Sequence, residues 1–161
     1  MAAYQIPSEE LVHTFYLWRC AELTARTAKI FKRDGDYAEF STIANDMKFS
    51  FNNKFYNEEN ASFGDFGSNN FAIVMGMPQE RQAKVVQTLY KEIVEKYDGH
   101  LNTGIFGTQF FFETLAAHGM NDVAYEAMNK RDFPGFGHWL ELGGTTTWEH
   151  WNGESSRNHP M

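Results

Sequence analysis

The feature that most constrains this chain is a succession of apolar helical stripes interrupted by short turn sequences. Leu11, Phe15 and Trp18 recur at helical spacing within a segment that runs from about 8 to 32. Asp34-Gly35-Asp36 then reads as a turn, and a second stripe follows it and ends near 55. We therefore predict that the first third of the chain is a helical hairpin.

The same pattern predicts two more hairpins. A short helix at about 68–76 and a longer one that begins at Pro78 form the second. Apolar stripes that begin at Gln109 and cover about 121–129 form the third. Three consecutive hairpins of unequal length, without a repeat of fixed period, favour an all-α toroid over a four-helix bundle or a binding solenoid.

Short β segments are expected in two of the loops. The segment 57–67 is rich in Asn, Glu, Gly and Asp, which predicts a loop with a short β-hairpin that carries Phe63 and Phe66. Near the C-terminus, the alternation in Leu-Glu-Leu predicts a strand at about 137–142 with Glu141 pointing outward.

Composition limits the class of protein. A chain of 161 residues with 42% hydrophobic residues suits one globular domain, 1–161. The formal net charge of -7 argues against nucleic-acid binding, which needs clustered Lys and Arg. No apolar run or leader-like start is present, so we expect a soluble protein without membrane contact, either cytoplasmic or secreted as part of a longer protein.

Neither a metal nor a cofactor is expected. Cys20 is the only cysteine, so the chain has no internal disulfide and no cysteine-based zinc site, and its apolar neighbours predict a buried thiol. The six histidines show no i, i+4 pair, and the acidic clusters lack the calcium-loop pattern.

The densest group of chemically capable residues is Gly143-Gly-Thr-Thr-Thr-Trp-Glu-His-Trp-Asn152. Within it, Glu149 stands between aromatic neighbours, and partial burial would make its carboxylate a stronger base. From chemistry alone, a half-exposed surface glutamate between packing tryptophans is the commoner case. Trp139, Trp148 and Trp151 are candidate platforms for stacking on a sugar, although at least one of them is expected to be pure core.

The chain resembles the α-L-rhamnosidases of glycoside hydrolase family 78. The similarity runs from Pro7-Ser-Glu-Glu-Leu through His100-Leu-Asn-Thr-Gly-Ile-Phe-Gly-Thr, and its most specific motifs are Gly-Thr-Thr-Thr-Trp-Glu and Ser156-Arg-Asn-His. The resemblance implies part of a six-hairpin (α/α)6 catalytic barrel that releases terminal L-rhamnose from a glycoside or oligosaccharide by inverting hydrolysis. Glu149 matches the glutamate that serves this family as general base.

The resemblance also implies sugar-binding positions outside the glutamate motif. His159 matches the histidine of Ser-x-Asn-His and would bond sugar hydroxyls. Thr103 and Gly104 belong to a loop that reaches the mouth of the barrel in the family. Tyr16 lies near a family aromatic that borders the rhamnose pocket, although aromatic residues on helices are usually packing residues.

The chain departs from the family in one important respect. It lacks the acidic segment that carries the family's general acid, of the form Asp-Cys-Pro, Arg-x-Glu and Gly-Trp-x-Gly-Asp. We therefore expect a fragment of about half a barrel, with little turnover alone and with exposed faces that favour self-association or marginal stability.

Two other functions are compatible with the sequence. One is a non-catalytic helical module that binds carbohydrate or a partner protein through its aromatic loops. The other is a toroid of the unsaturated-glycuronyl hydrolase kind, which the two specific motifs disfavour.

Overall fold

A series of seven α-helices makes up most of the residues that the computed structural model describes, 7–101 and 103–153. They are α1 (Glu9–Ile30), α2 (Asp34–Phe55), α3 (Ser68–Met75), α4 (Gln79–Lys91), α5 (Ile105–Ala117), α6 (Asn121–Asn129) and α7 (Phe136–Glu141). A π-helical turn, Glu92–Lys96, follows α4 directly. The prediction of an all-α chain built from helical hairpins is therefore confirmed.

Local signals explain the first hairpin. The Ser8 hydroxyl accepts a hydrogen bond from the Leu11 amide at 3.2 Å, which caps the start of α1. The turn lies earlier than predicted, because Lys32 adopts a φ of 56° and α2 already begins at Asp34. Asp34 and Asp36 belong to the first turn of α2, where negative charge favours the positive end of the helix dipole.

The short helix α3 lies at the centre of the molecule, where it contacts α1, α4 and α5. Phe71 of α3 is completely buried, and its ring lies 4.6 Å from that of Phe15 on α1. Phe110 of α5 joins them, with its ring 5.1 Å from Phe15. The aromatic residues predicted for the helical stripes therefore form much of the core.

The predicted strand at 137–142 is wrong, because this segment is helical as α7. A period-two pattern over three residues does not distinguish strand from helix, whereas a contact three residues apart does. Phe136 and Trp139 make that contact, with ring centroids 5.3 Å apart. The predicted hairpin in 57–67 is reduced to a single antiparallel bridge between Asn57 and Ser62.

Two other expectations need correction. Cys20 is exposed rather than buried. It lies two residues after the buried Trp18 on α1, and two helical residues correspond to a rotation of about 200°, so its side chain points away from the core. Helix α5 begins at Ile105, one turn before the predicted Gln109.

Several large apolar side chains are exposed on the outer surfaces of the array. On the first hairpin, Leu17, Ile30 and Phe49 are more than half exposed. At the other end, Tyr125 on α6 and Leu140 on α7 are also more than half exposed. None of the helices described is long and apolar enough to cross a membrane.

Replacement of core Phe111 by Ala tests this assignment of the core. Phe111 is fully buried, so Phe111→Ala should lower the free energy of unfolding by about 3–5 kcal/mol. Phe49→Ala is the matched control, because that ring is 71% exposed on α2 and should cost much less. Urea denaturation followed by circular dichroism measures both; equal losses would contradict the core described here.

Candidate active site

The glutamate loop, residues 142–153, carries the Thr-Thr-Thr-Trp-Glu motif and begins where α7 ends. The Gly144 amide donates to the Trp139 carbonyl at 2.7 Å, which turns the chain back over α7. Gly143 adopts a φ of 82°, a left-handed conformation that favours glycine. A second turn closes the loop, with the Gly153 amide donating to the His150 carbonyl at 3.0 Å.

Two glycines enclose the indole of Trp148. A Cβ atom on Gly153 would lie 2.3 Å from Cζ3 of this ring, and one on Gly144 would lie 3.1 Å from Cζ2. Both distances are shorter than ordinary van der Waals contacts, so the ring occupies space that only glycine leaves open. The half-buried Trp148 is therefore held directly before Glu149.

Trp151, which follows Glu149 in the sequence, is also anchored. Its ring stacks on that of Trp139 with centroids 4.5 Å apart and planes at 20°. Its Nε1–H donates to the Thr103 carbonyl at 2.9 Å, and its own carbonyl accepts from Trp139 Nε1 at 3.1 Å. Both indoles are about 95% buried. The expectation that at least one of the three tryptophans is core is confirmed.

Thr103 is itself a fixed point. Its side chain fits against Gly67 and Gly107, where Cβ atoms would lie 2.9 Å from Cγ2 and 3.1 Å from Cβ of the threonine. The hydroxyl pairs with the Thr108 hydroxyl at 3.0 Å, and Thr108 also donates to the Gly104 carbonyl at 2.9 Å. The side chain of Thr103 is thus buried, while Gly104 is partly exposed at the start of α5.

Tyr16 connects α1 to the first turn of α5. Its hydroxyl donates to the Phe106 carbonyl at 3.1 Å, and the two rings meet edge to face at 5.8 Å. Burial raises the pKa of the Tyr16 phenol above its ordinary value, so the hydroxyl keeps its proton over the neutral range.

The segment that enters α7 is also held by close backbone contacts. Cβ atoms on Gly135 and Gly137 would lie 2.7 and 2.5 Å from the Lys130 carbonyl oxygen. Nearby, Nε2 of the buried His100 lies 3.0 Å from the Asp132 carboxylate. The imidazole holds the pKa of Asp132 below its usual range, so this contribution to stability is lost as pH falls through that lowered pKa.

The predicted site residues thus converge on one region. Tyr16 binds the first turn of α5, and Trp151 joins the glutamate loop to Thr103, which lies in the loop before α5. Glu149 is half-buried, and in the sequence it stands between the two anchored residues Trp148 and Trp151. His159 lies outside the described residues.

The contacts made by the glycines of this region were not predicted from the sequence. Gly144 and Gly153 enclose Trp148, and Gly67 and Gly107 enclose Thr103. The available signal was the placement of glycines on both sides of the Thr-Thr-Thr-Trp-Glu motif, but contacts between distant residues such as Gly67 and Thr103 leave no local pattern.

Other carboxylates occupy different surroundings. Glu141 is exposed on α7 and forms an ion pair with Arg131. The buried Glu92 accepts from Asn69 Nδ2 at 3.1 Å and lines a cavity of about 400 Å³ that contains none of the predicted site residues. In the part of the chain that the structure describes, no three His, Cys, Asp or Glu side chains are grouped as metal ligands.

Packed helical hairpins with a carboxylate-bearing loop beyond the last helix define this chain as part of an all-α helical-hairpin domain. Residues 3–161 match the family model of the bacterial alpha-L-rhamnosidase 6 hairpin glycosidase domain. The chain belongs to this family.

Named relatives agree with the family assignment. An alpha-L-rhamnosidase of Formosa agariphila is 27% identical over 153 residues, which are 92% of this chain and 16% of the relative. One from Streptomyces avermitilis is 27% identical over 145 residues, 89% of this chain and 14% of the relative. The chain therefore spans about a sixth of the length of the curated relatives it matches.

Solved structures show the same arrangement of helices. An alpha-L-rhamnosidase from Dictyoglumus thermophilum superposes with a TM-score of 0.79 at 31% identity, covering 85% of this chain and 16% of that one. The Streptomyces avermitilis alpha-L-rhamnosidase complexed with L-rhamnose gives 0.76 at 26% identity, with coverage of 88% and 14%. An Aspergillus terreus rhamnosidase, at 18% identity, shares the fold with a TM-score of 0.83 over 99% of this chain and 19% of its own.

Substitution of Gly153 tests the enclosure of Trp148. Gly153→Ala places a methyl group against the indole at a φ of 71°, so it should destabilise the chain by at least about 1–2 kcal/mol and alter the near-ultraviolet circular dichroism of tryptophan. Gly35→Ala is the control, because a Cβ there meets nothing within 4 Å inside α2 and should be neutral or stabilising. A Gly153→Ala chain with unchanged melting temperature and dichroism would refute the enclosure.

Proposed function

We propose that this chain contributes the general base of an inverting α-L-rhamnosidase and that Glu149 is that base. One observation supports the role most directly. Glu149 is half-buried, and in the sequence it stands between two fixed tryptophans, one enclosed by glycines and the other stacked and hydrogen-bonded. Fixed neighbours restrict the backbone that carries this carboxylate, and a base needs such restriction to activate one water molecule.

In the proposed reaction, Glu149 removes a proton from water as the water oxygen attacks the anomeric carbon of L-rhamnose. The bond from that carbon to the glycosidic oxygen breaks at the same time, and a second carboxylic acid protonates the departing oxygen. The attacking water and the leaving group lie on opposite faces of the ring, so the sugar is released with inverted configuration. The two carboxyl groups are then roughly 6.5–9.5 Å apart.

The general acid is proposed to come from another part of the six-hairpin domain. Glu141, the nearest acid before Glu149 in the sequence, is exposed and paired with Arg131. The relatives are about six times longer than the region they share with this chain. We therefore assign the acid to residues outside the segment described.

For binding the sugar, we propose contacts from Trp148, Tyr16, Gly104 and His159. The stacked arrangement of Trp139 and Trp151 covers their faces, so we propose that both support the glutamate loop from within the core. Direct stacking of sugar on these two indoles remains a prediction of the sequence alone. The hydroxyl of Thr103 is hydrogen-bonded to that of Thr108, so Thr103 is left out of the proposed sugar contacts.

The base role is tested in a barrel that contains the remaining hairpins. Residues 7–153 replace the matching segment of the Dictyoglumus thermophilum relative, and hydrolysis of an aryl α-L-rhamnoside is measured. Glu149→Gln should reduce kcat by about 10²–10⁴-fold, because it removes the proton acceptor while keeping the size of the side chain. Proton NMR of the first product should show the inverted anomer.

Glu141→Gln is the matched control, since it makes the same chemical change on an exposed residue and should leave kcat near that of the parent graft. Normal turnover by the Glu149→Gln graft would overturn the proposed role. A graft that binds L-rhamnose without turnover in any variant would instead favour the carbohydrate-binding module.

The isolated chain should show little or no hydrolysis of the aryl rhamnoside, because the general acid is proposed to lie outside the described residues. Its exposed apolar residues should also cause concentration-dependent self-association, measured by sedimentation velocity. Sustained inverting turnover by a monomeric chain would contradict this prediction and indicate an acid within these residues.

A further inference from the structure

We infer that Trp151 is a positioning residue for Glu149, which it holds in place by tying the glutamate loop to the backbone of Thr103. This inference rests on the proposed function, because positioning matters only if the carboxylate acts on a substrate. It assigns to Trp151 a role different from the sugar platform that its sequence context suggests.

Thr103, whose carbonyl accepts the hydrogen bond from Trp151, is tightly packed. Thr103 has its methyl group against Gly67 and Gly107 and its hydroxyl on Thr108, and it is about 95% buried. The Thr103 carbonyl thus belongs to a residue whose side chain is closely packed and hydrogen-bonded. A hydrogen bond to this carbonyl at 2.9 Å transmits that rigidity to Trp151.

Trp151 is also fixed at its ring and its backbone. Its indole stacks on Trp139 and meets Phe136 edge to face at 5.2 Å. Trp139 in turn donates its own Nε1–H to the Trp151 carbonyl at 3.1 Å. Two indoles therefore stack on each other while one binds the backbone of the other, which leaves Trp151 no alternative position within this core.

Glu149 lies between this anchor and a second one. Only His150 separates it from Trp151, while Trp148 directly before it is enclosed by Gly144 and Gly153. A segment this short between two fixed rings has few backbone conformations. The anchors consequently limit where the glutamate backbone, and with it the Cα–Cβ bond, can lie, and a displacement of about 1 Å would be costly for general-base catalysis.

The hydrogen bond from Trp151 to the Thr103 carbonyl does more than satisfy a buried donor. A buried indole N–H needs an acceptor, but any nearby carbonyl satisfies that need. Here the acceptor is 48 residues away, directly before Gly104 at the start of α5. The bond therefore joins the glutamate loop to the other loop that the sequence predicts to contact the sugar.

Trp151→Phe in the full chain tests the inference, because it removes the N–H and keeps an aromatic ring in the core. The reporter is the ¹³C carboxyl resonance of Glu149, assigned by comparison with Glu149→Gln. In Trp151→Phe this resonance should move by more than its line width or split. The affinity for L-rhamnose should also fall about fivefold, which corresponds to the loss of one hydrogen bond between a displaced Glu149 and the sugar.

Trp18→Phe is the matched control. Trp18 is likewise buried, on α1, so this variant should lose comparable stability while the Glu149 resonance stays in place. Trp139→Phe removes the other hydrogen bond of the pair and should shift the resonance in the same way as Trp151→Phe.

An unchanged Glu149 resonance in a folded Trp151→Phe chain overturns the positioning role. If that variant does not fold, hydrogen exchange in the unmodified chain decides: the Trp151 indole proton should exchange at least tenfold more slowly than that of the half-buried Trp148, and equal rates overturn the inference. The proposed function fails separately, through normal turnover by Glu149→Gln in the graft.

Discussion

Burial of α3 on all sides is the constraint on which the rest of this structure depends. Phe71 of this helix lies among the rings of Phe15 and Phe110, so the first hairpin and α5 are drawn against the same short helix. Because α5 is held there, its N-terminal loop is held too. The position of Thr103, and through it the glutamate loop, follows from that packing.

Glycine contacts and backbone carbonyls, rather than networks of charged side chains, shape the candidate site. Glycines allow Trp148 and Thr103 to approach the backbone closely, and carbonyls of Thr103 and Phe106 accept hydrogen bonds from Trp151 and Tyr16. Backbone acceptors have fixed positions once their loop is packed. This construction suits a site in which one carboxylate must keep its direction.

The sequence was sufficient to predict the hairpins, because helical periodicity and turn residues are local signals. Helix α6 was predicted at its observed bounds, and Glu149 was selected by its motif. The strand expected at 137–142 failed since three alternating residues carry too little information about period. Cys20 was predicted to be buried because its sequence neighbours are apolar, but its position on the helix places it on the exposed face.

The contacts that connect the site were beyond prediction for a different reason. The bond from Trp151 to Thr103 spans 48 residues, and that from Tyr16 to Phe106 spans 90, so neither leaves a mark in any short window of sequence. Burial of Trp139 and Trp151 likewise depends on how the loop folds back over α7. Residue type indicated that these indoles were important, and tertiary packing decided in what way.

The central claim is that the loop before α5 and the glutamate loop form one sugar-binding region. Titration of the ¹⁵N-labelled chain with L-rhamnose, followed by amide resonances, tests it most directly. The account predicts saturable shifts at 103–106 and 148–151 together. Shifts confined to the separate cavity lined by Glu92 and Asp65, or saturable binding that leaves both loops unchanged, would contradict it.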